Sequence, residues 1–179
     1  MVQLSTLLFT AIIVFAIVGT MRGWTKEIVS TAGIILALFA TWQFDGIILQ
    51  PLTRGASPDQ IFFLYAGILV LVALFAYQTP AAIDLIRARE EASRNRRAGC
   101  QERLLGLIIG GVNGYLLFGS LWYYLDRTGY PFAPFVFAPA PGSQSAGLVE
   151  TLPLVFLVQG QLLTVLVIVL FLFVIVTML

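Results

Sequence analysis

The side chains that could do chemistry are few, and they lie between apolar stretches rather than within them. The chain has 179 residues, with no histidine and a single cysteine, Cys100. Imidazole and thiolate groups are the main protein ligands of zinc, copper and haem, so this composition argues against a metal or redox cofactor held by this chain alone. A lone cysteine without a neighbouring base is typical of a bystander, and we assign Cys100 no role.

The carboxylates lead to a similar expectation. Asp45, Asp84 and Asp126 all lie near the ends of apolar runs. A coupled transporter or proton relay normally places ionisable groups or interrupted helices near the middle of the membrane. The sequence also lacks a Ser-His-Asp set, a phosphate loop and a metal motif. We therefore predict a protein that is not an enzyme and that binds no cofactor.

Five long apolar runs position these residues. Hydrophobic residues make up 59% of the chain and charged residues 11%, which is unlike a soluble domain. About 20 apolar residues cross the hydrocarbon core as a helix, the conformation that satisfies its own backbone polar groups there. The sequence therefore predicts an all-α, polytopic transmembrane bundle. The expected spans are residues 4–21, 28–49, 60–82, 104–125 and 152–179.

The distribution of basic residues predicts the orientation. Six of the ten lie between Arg87 and Arg103, in the connector of runs three and four, while Arg22 and Lys26 separate runs one and two. The positive-inside rule places both connectors in the cytoplasm, so we expect the N-terminus outside and the C-terminus inside. A re-entrant second run would put the two basic groups on opposite sides, which is a less economical interpretation.

The arginine-rich connector also suggests a ligand. Arg94, Arg96 and Arg97 are expected to attract anionic lipid headgroups at the membrane surface. Nucleic-acid binding is the weaker interpretation, because the segment lacks an aromatic platform for bases and lies close to the bilayer.

Run four carries a glycine ridge formed by Gly106, Gly110 and Gly114, which recur every four residues. This spacing leaves one helix face smooth enough for close approach of another backbone, and Asn113 in the same run should hydrogen-bond across helices. The pattern favours packing against another span of the chain, but a second copy or a foreign subunit would use the same surface.

The connector at residues 126–151 is rich in proline and aromatic residues. Its composition predicts an extended, extracytoplasmic segment, too proline-rich for a helix. It either lies on the outer leaflet or docks on another subunit. The predicted organisation is thus a membrane region at 1–125, this connector, and a C-terminal helix at 152–179.

The sequence from Gly19 to Thr41, GTMRGWTKEIVSTAGIILALFAT, resembles the opening of the colicin V production protein (CvpA) family. The positions that match its Arg-Gly, basic residue and Glu are Arg22, Gly23, Lys26 and Glu27. The segment ERLLGLIIGGVNG, from Glu102 to Gly114, is similar to the start of that family's last conserved segment. The resemblance covers runs one to four, with the proline-rich connector and run five beyond it, and implies a small bacterial inner-membrane protein associated with secretion or envelope processes.

Two functions are consistent with these features. The first is a non-catalytic accessory subunit that packs against larger partners in an inner-membrane complex, for example an electron-transfer or energy-transducing one. The second is a stand-alone CvpA-like export or channel factor whose copies associate through the glycine ridge. The sequence identifies neither a partner nor a transported solute.

Overall fold

The chain folds into a bundle of helices, which the computed structural model describes for residues 3–87 and 96–178. Five helical stretches of the described residues are long and apolar enough to cross a membrane, which confirms the predicted all-α polytopic class. The helices are α1 (Leu4–Arg22), α2 (Trp24–Gln43), α3 (Gln50–Leu52), α4 (Pro58–Arg87), α5 (Arg96–Arg127), α6 (Gln144–Val149), α7 (Pro153–Val158) and α8 (Leu162–Met178).

Helices α1 and α5 make the most extensive contact in the bundle and run antiparallel. Helix α2 lies between α4 and α5, and α8 packs against α2. The bundle therefore has two ends, which we name by one residue each. The Arg22 end holds the turn between α1 and α2 together with the start of α5. The Asp45 end holds the turn after α2 and the connector that follows α5.

The core is apolar along most of its length. Ile34, Leu38, Leu69 and Leu163 are completely buried where α2, α4 and α8 meet. A second cluster at the Asp45 end includes Leu152, so the residues just before α7 are anchored to the bundle.

The boundary between runs one and two differs from the predicted one. Helix α2 begins at Trp24 rather than near residue 28, and Gly23 alone separates it from α1. Gly23 adopts φ 81°, a left-handed conformation that glycine reaches without a steric cost. Its N–H donates to the carbonyl of Gly19 at 2.9 Å, closing the end of α1. Glu27, which we had placed in the connector, is therefore a helical residue.

The far end of run two also differs. We predicted a helix to Leu49, but α2 ends at Gln43 and residues Asp45–Leu49 form one π-helical turn. The wider turn brings Asp45 against Tyr65 and Arg127, which lie on α4 and α5. Formation of these polar contacts gives a physical reason for the change in helix geometry.

Run five is interrupted. Instead of one helix over residues 152–179, the described residues form α7 and α8 with a break between them. Gly160 and Gln161 have φ values of 72° and 59° at this break. Glycine tolerates that conformation, and two flanking glutamines supply polar side chains where the helical hydrogen bonds are lost.

The connector after α5 is less irregular than expected. Its proline residues lie between Pro131 and Pro141, and the part that follows forms the short helix α6. Ser143 caps this helix, because its Oγ accepts a hydrogen bond from the backbone N–H of Ala146 at 3.2 Å. The prediction that the whole segment is too proline-rich for a helix is therefore wrong for residues 144–149.

Candidate functional site

A buried carboxylate lies at the Arg22 end of the bundle. Glu27, in the first turn of α2, has no exposed surface. Its Oε1 accepts a hydrogen bond from Arg22 at 2.6 Å, and its Oε2 accepts one from the Asn113 amide at 2.8 Å and one from the Tyr77 hydroxyl at 3.2 Å. An unpaired charge would be very costly at such a position, so these three donors are what allows the carboxylate to be there.

Arg22 closes the other side of this site. Its guanidinium donates to Ser30 Oγ at 3.3 Å and to the backbone carbonyl of Tyr77 at 3.0 Å, and it lies 4.2 Å from the centroid of the Tyr77 ring. Helix α4 continues past Pro80, which has no N–H to offer the carbonyl of Ala76 four residues earlier. The Arg22 guanidinium therefore donates hydrogen bonds next to the position in α4 where a backbone N–H donor is missing.

Asn113 connects α5 to this site. Besides its bond to the carboxylate, its amide nitrogen lies 3.1 Å from the backbone carbonyl of Glu27, and its Oδ1 accepts a hydrogen bond from the Thr31 hydroxyl at 2.7 Å. The side chain is fully buried. We call Arg22, Glu27, Ser30, Thr31, Tyr77 and Asn113 together the polar network; it joins α1, α2, α4 and α5.

The glycine ridge lies beside the polar network and faces α1. A Cβ placed on Gly106 would overlap the carbonyl of Gly19, and one on Gly110 would overlap the carbonyl of Phe15. At Gly114 the added atom would be 2.9 Å from the carbonyl oxygen of Ala11. The structure thus places this surface against another span of the same chain, where the two backbones touch.

The polar network is a closed arrangement. Both carboxylate oxygens of Glu27 are occupied by donors, and Arg22 keeps 19% of its side chain exposed while its nitrogens point inward. Such a set of bonds holds four helices in one register. Each oxygen of the Glu27 carboxylate already accepts at least one hydrogen bond from within this network.

A second polar cluster lies at the Asp45 end. Asp45 accepts hydrogen bonds from the Tyr65 hydroxyl, from Arg127 at 2.8 Å and from Gln50 at 2.9 Å. Burial alone would raise the pKa of Asp45, but these three donors outweigh it and hold the pKa below its ordinary value. Beside the cluster is a cavity of about 20 Å³ next to Tyr124, room for about one water molecule.

The other predicted positions are less enclosed. Lys26 is half-buried in the first turn of α2, and Cys100 is exposed on α5. Arg96 and Arg97 begin α5, whereas Arg94 lies outside the described residues, so their contact with lipid headgroups stays a prediction. Within the described ranges no group of three His, Cys, Asp or Glu side chains could hold a metal ion.

Sequence reasoning missed the depth of Glu27 and the participation of Thr31 and Tyr77. Part of the signal was available, because Glu27, Ser30 and Thr31 are spaced three and four residues apart and so share a helix face. The contribution of Tyr77 carries no local signal, since it comes from a helix that begins more than thirty residues later.

The helices and their buried polar contacts define a polytopic helical membrane protein. A comparison with protein families matches residues 4–152 to the family described as Colicin V production protein. The chain belongs to this family, as the resemblance at Arg22 to Glu27 indicated. The match extends beyond the four runs that we had assigned to it and includes the connector at 126–151, while α7 and α8 lie outside. Neither the curated proteins nor the solved structures gave a significant match.

Proposed function

We propose that this protein is a non-catalytic accessory subunit of a bacterial inner-membrane complex, with α8 as its main contact to larger partners. One observation carries the proposal, namely the position of α8 at the edge of the bundle. Near its start Leu163 is completely buried, whereas Val165, Ile168 and Phe171 are 51–65% exposed. One face of the helix is attached to the bundle, through Leu163 and the half-buried Val167 and Leu170, and the opposite face is exposed up to Leu172.

A groove next to α8 supports the same role. It has a volume of about 270 Å³ and lies between α2, α5 and Leu170 of α8, with Ile35 and Val112 among its lining residues. Apolar surface by itself does not prefer protein over lipid, so helix association in a bilayer depends on shape. The groove and the exposed face of α8 beside it form a concave surface and an adjacent helix, into which a helix of a neighbouring subunit could pack.

The polar network favours a structural role over a role in transport. Its charged groups lie where α1 ends and α2 begins, and an ionisable side chain buried in a membrane protein is by default a functional candidate. Here, however, Arg22, Glu27 and Asn113 satisfy one another. Their arrangement fits the requirement of a subunit that must keep a fixed shape for its partners.

Photo-cross-linking in native membranes tests the proposal. A photoreactive amino acid replaces Ile168 or Phe171 on α8, and a matched control replaces Ile13, which is 60% exposed on α1. We expect the α8 positions to form adducts with a different membrane protein and the α1 position to form none. Lipid adducts alone from all three positions, with no larger band in native electrophoresis, would contradict the proposal.

The family description favours a second candidate, a stand-alone export or channel factor that acts as a homo-oligomer. The glycine ridge is a poor contact for such an oligomer, because α1 already covers it. Copies would then have to meet through another exposed face, and the exposed face of α8 is one that the structure offers. The same cross-linking separates the two candidates, since the homo-oligomer predicts adducts with the mass of two copies of this chain.

A further inference from the structure

The connector between α5 and α6 has an unusual composition for a segment outside the apolar spans. No Asp, Glu, Lys or Arg occurs from Thr128 to Val149. Segments that remain in water normally carry charged or polar side chains, whereas this one alternates proline with aromatic residues. Its chemistry therefore suits a surface that is partly apolar.

The first part of the connector is fixed to the bundle. Tyr130 is buried, and its hydroxyl accepts a hydrogen bond from the Trp122 indole at 3.1 Å and donates one to Asp126 at 3.0 Å. Phe132 packs edge-on against Phe62 and Phe63, with ring centroids 5.1 and 5.4 Å away. These contacts hold the backbone of the connector against the side of α4.

This attachment fixes the height of the connector along the bundle. Pro58 is the first residue of the span in α4, and Phe62 lies four residues further, about 6 Å along the helix axis. Phe63 is 61% exposed on the outer face of that helix, the face that a membrane-spanning helix turns toward lipid. The connector consequently lies level with the first turns of a membrane-spanning helix.

Two aromatic side chains that follow Phe132 closely in the connector are exposed. The N–H of Phe135 donates to the carbonyl of Phe132 at 2.8 Å, and this turn directs the Phe135 ring outward. Phe135 is 85% exposed and Phe137 47% exposed. We call Phe135 and Phe137 the aromatic wedge.

We infer that the aromatic wedge inserts into the bilayer beside α4, at the boundary between lipid headgroups and acyl chains. Phe132, three residues before Phe135, packs against the exposed Phe63, and no charged side chain between Thr128 and Val149 would have to leave water. The competing possibility is that a protein subunit, rather than lipid, covers the aromatic wedge. The inference is independent of the role proposed for α8.

A fluorescence experiment on the full-length protein tests this insertion. The native cysteine is removed by Cys100→Ser, and an environment-sensitive fluorophore is attached at Phe135→Cys. Matched reporters are Phe63→Cys, which faces lipid, and Ser57→Cys, which is exposed in the charged turn before α4. Because all three positions are exposed, the label should not disturb the core. Each variant is reconstituted into phosphatidylcholine-phosphatidylglycerol vesicles that contain a shallow nitroxide lipid.

We expect the nitroxide lipid to quench the Phe135 reporter at least about twofold more than the Ser57 reporter, with an emission close to that at Phe63. Quenching by aqueous iodide should follow the opposite order. A Phe135 reporter that behaves like the one at Ser57 would overturn the inference. So would a protein adduct from a photoreactive residue at Phe135 in native membranes, because that outcome identifies a subunit as the occupant.

Discussion

The side-chain amide of Asn113 on α5 bonds to both the carboxylate and the backbone carbonyl of Glu27 on α2, at 2.8 and 3.1 Å. The same Glu27 carboxylate also accepts hydrogen bonds from Arg22 on α1 and from Tyr77 on α4. A position that looks like a polar connector in the sequence is therefore the most enclosed polar site that we find among the described residues. Its hydrogen bonds fix the register of four helices, because acyl chains of lipids cannot replace these donors and acceptors.

Loss of the Glu27 charge should destabilise the bundle. Glu27→Gln leaves the Arg22 guanidinium partly buried without a counter-charge, and breaking one side of a buried ion pair costs about 3–5 kcal/mol. Thermal unfolding in mild detergent measures the effect. Glu150→Gln, at an exposed carboxylate, is the control and should unfold like the parent protein. Equal unfolding temperatures for the two variants would show that the network contributes little.

The amide of Asn113 should matter separately. Asn113→Leu removes a donor from Glu27 and an acceptor from Thr31, and we expect a loss of about 1–2 kcal/mol. A double-mutant cycle with Glu27→Gln measures their coupling. Strictly additive losses would contradict direct contact between the two side chains.

The glycine ridge provides a pair of adjacent positions with opposite expectations. Gly110→Ala places a methyl group onto the backbone of α1 and should lower the unfolding temperature, whereas at Gly111 the added atom meets Ala16 and Ile12 at ordinary distances of 3.6 and 3.7 Å. Gly111→Ala should therefore be within about 0.5 kcal/mol of the parent. If both variants behaved alike, the contact between α1 and α5 would not be as close as the structure has it.

The Asp45 cluster predicts a dependence on pH. The folded-state pKa of Asp45 lies below its ordinary value of 3.8, so its contribution to stability is fully present above that pH and is lost as the pH falls through the lowered pKa. The unfolding temperature of the parent minus that of Asp45→Asn should stay constant from about pH 7 to pH 5 and shrink below 3.8. A difference that already disappeared at pH 6 would exclude this cause.

The orientation can be tested with the native cysteine. Cys100 is exposed near the start of α5, and we predict that this end of the bundle faces the cytoplasm. In intact spheroplasts of a bacterial expression host, an impermeant maleimide should leave Cys100 unlabelled until the membrane is permeabilised. The control, Ser57→Cys with Cys100→Ser, should react from outside. Labelling of Cys100 in intact spheroplasts would reverse the topology.

Much of the architecture could be predicted because hydropathy alone identifies long apolar helices. The sequence also indicated that the glycine ridge packs closely and that Asn113 needs a partner. It could not indicate that α1 fills the ridge, since small residues suit any close helix. Nor could it place Glu27 inside the bundle, because its burial depends on Arg22, Tyr77 and Asn113 converging from three other helices.

The break in run five was equally hidden. Gly160 lies in an apolar stretch in which an average over neighbouring residues predicts one continuous helix. Its left-handed conformation and that of Gln161 are set by where α7 and α8 pack, with Leu157 and Leu163 both buried on either side of the break. Local propensity weakens a helix at glycine but does not decide whether the chain bends there.

The most direct test of the proposed role is the composition of the native assembly. Membranes that contain the chromosomally tagged full-length protein are solubilised in mild detergent, and the mass and subunits of the tagged band are determined by native electrophoresis and mass spectrometry. We predict one band much larger than 19.6 kDa that contains this chain together with different membrane proteins. A band that contains this chain alone, as a monomer or as a homo-oligomer, would contradict the accessory role.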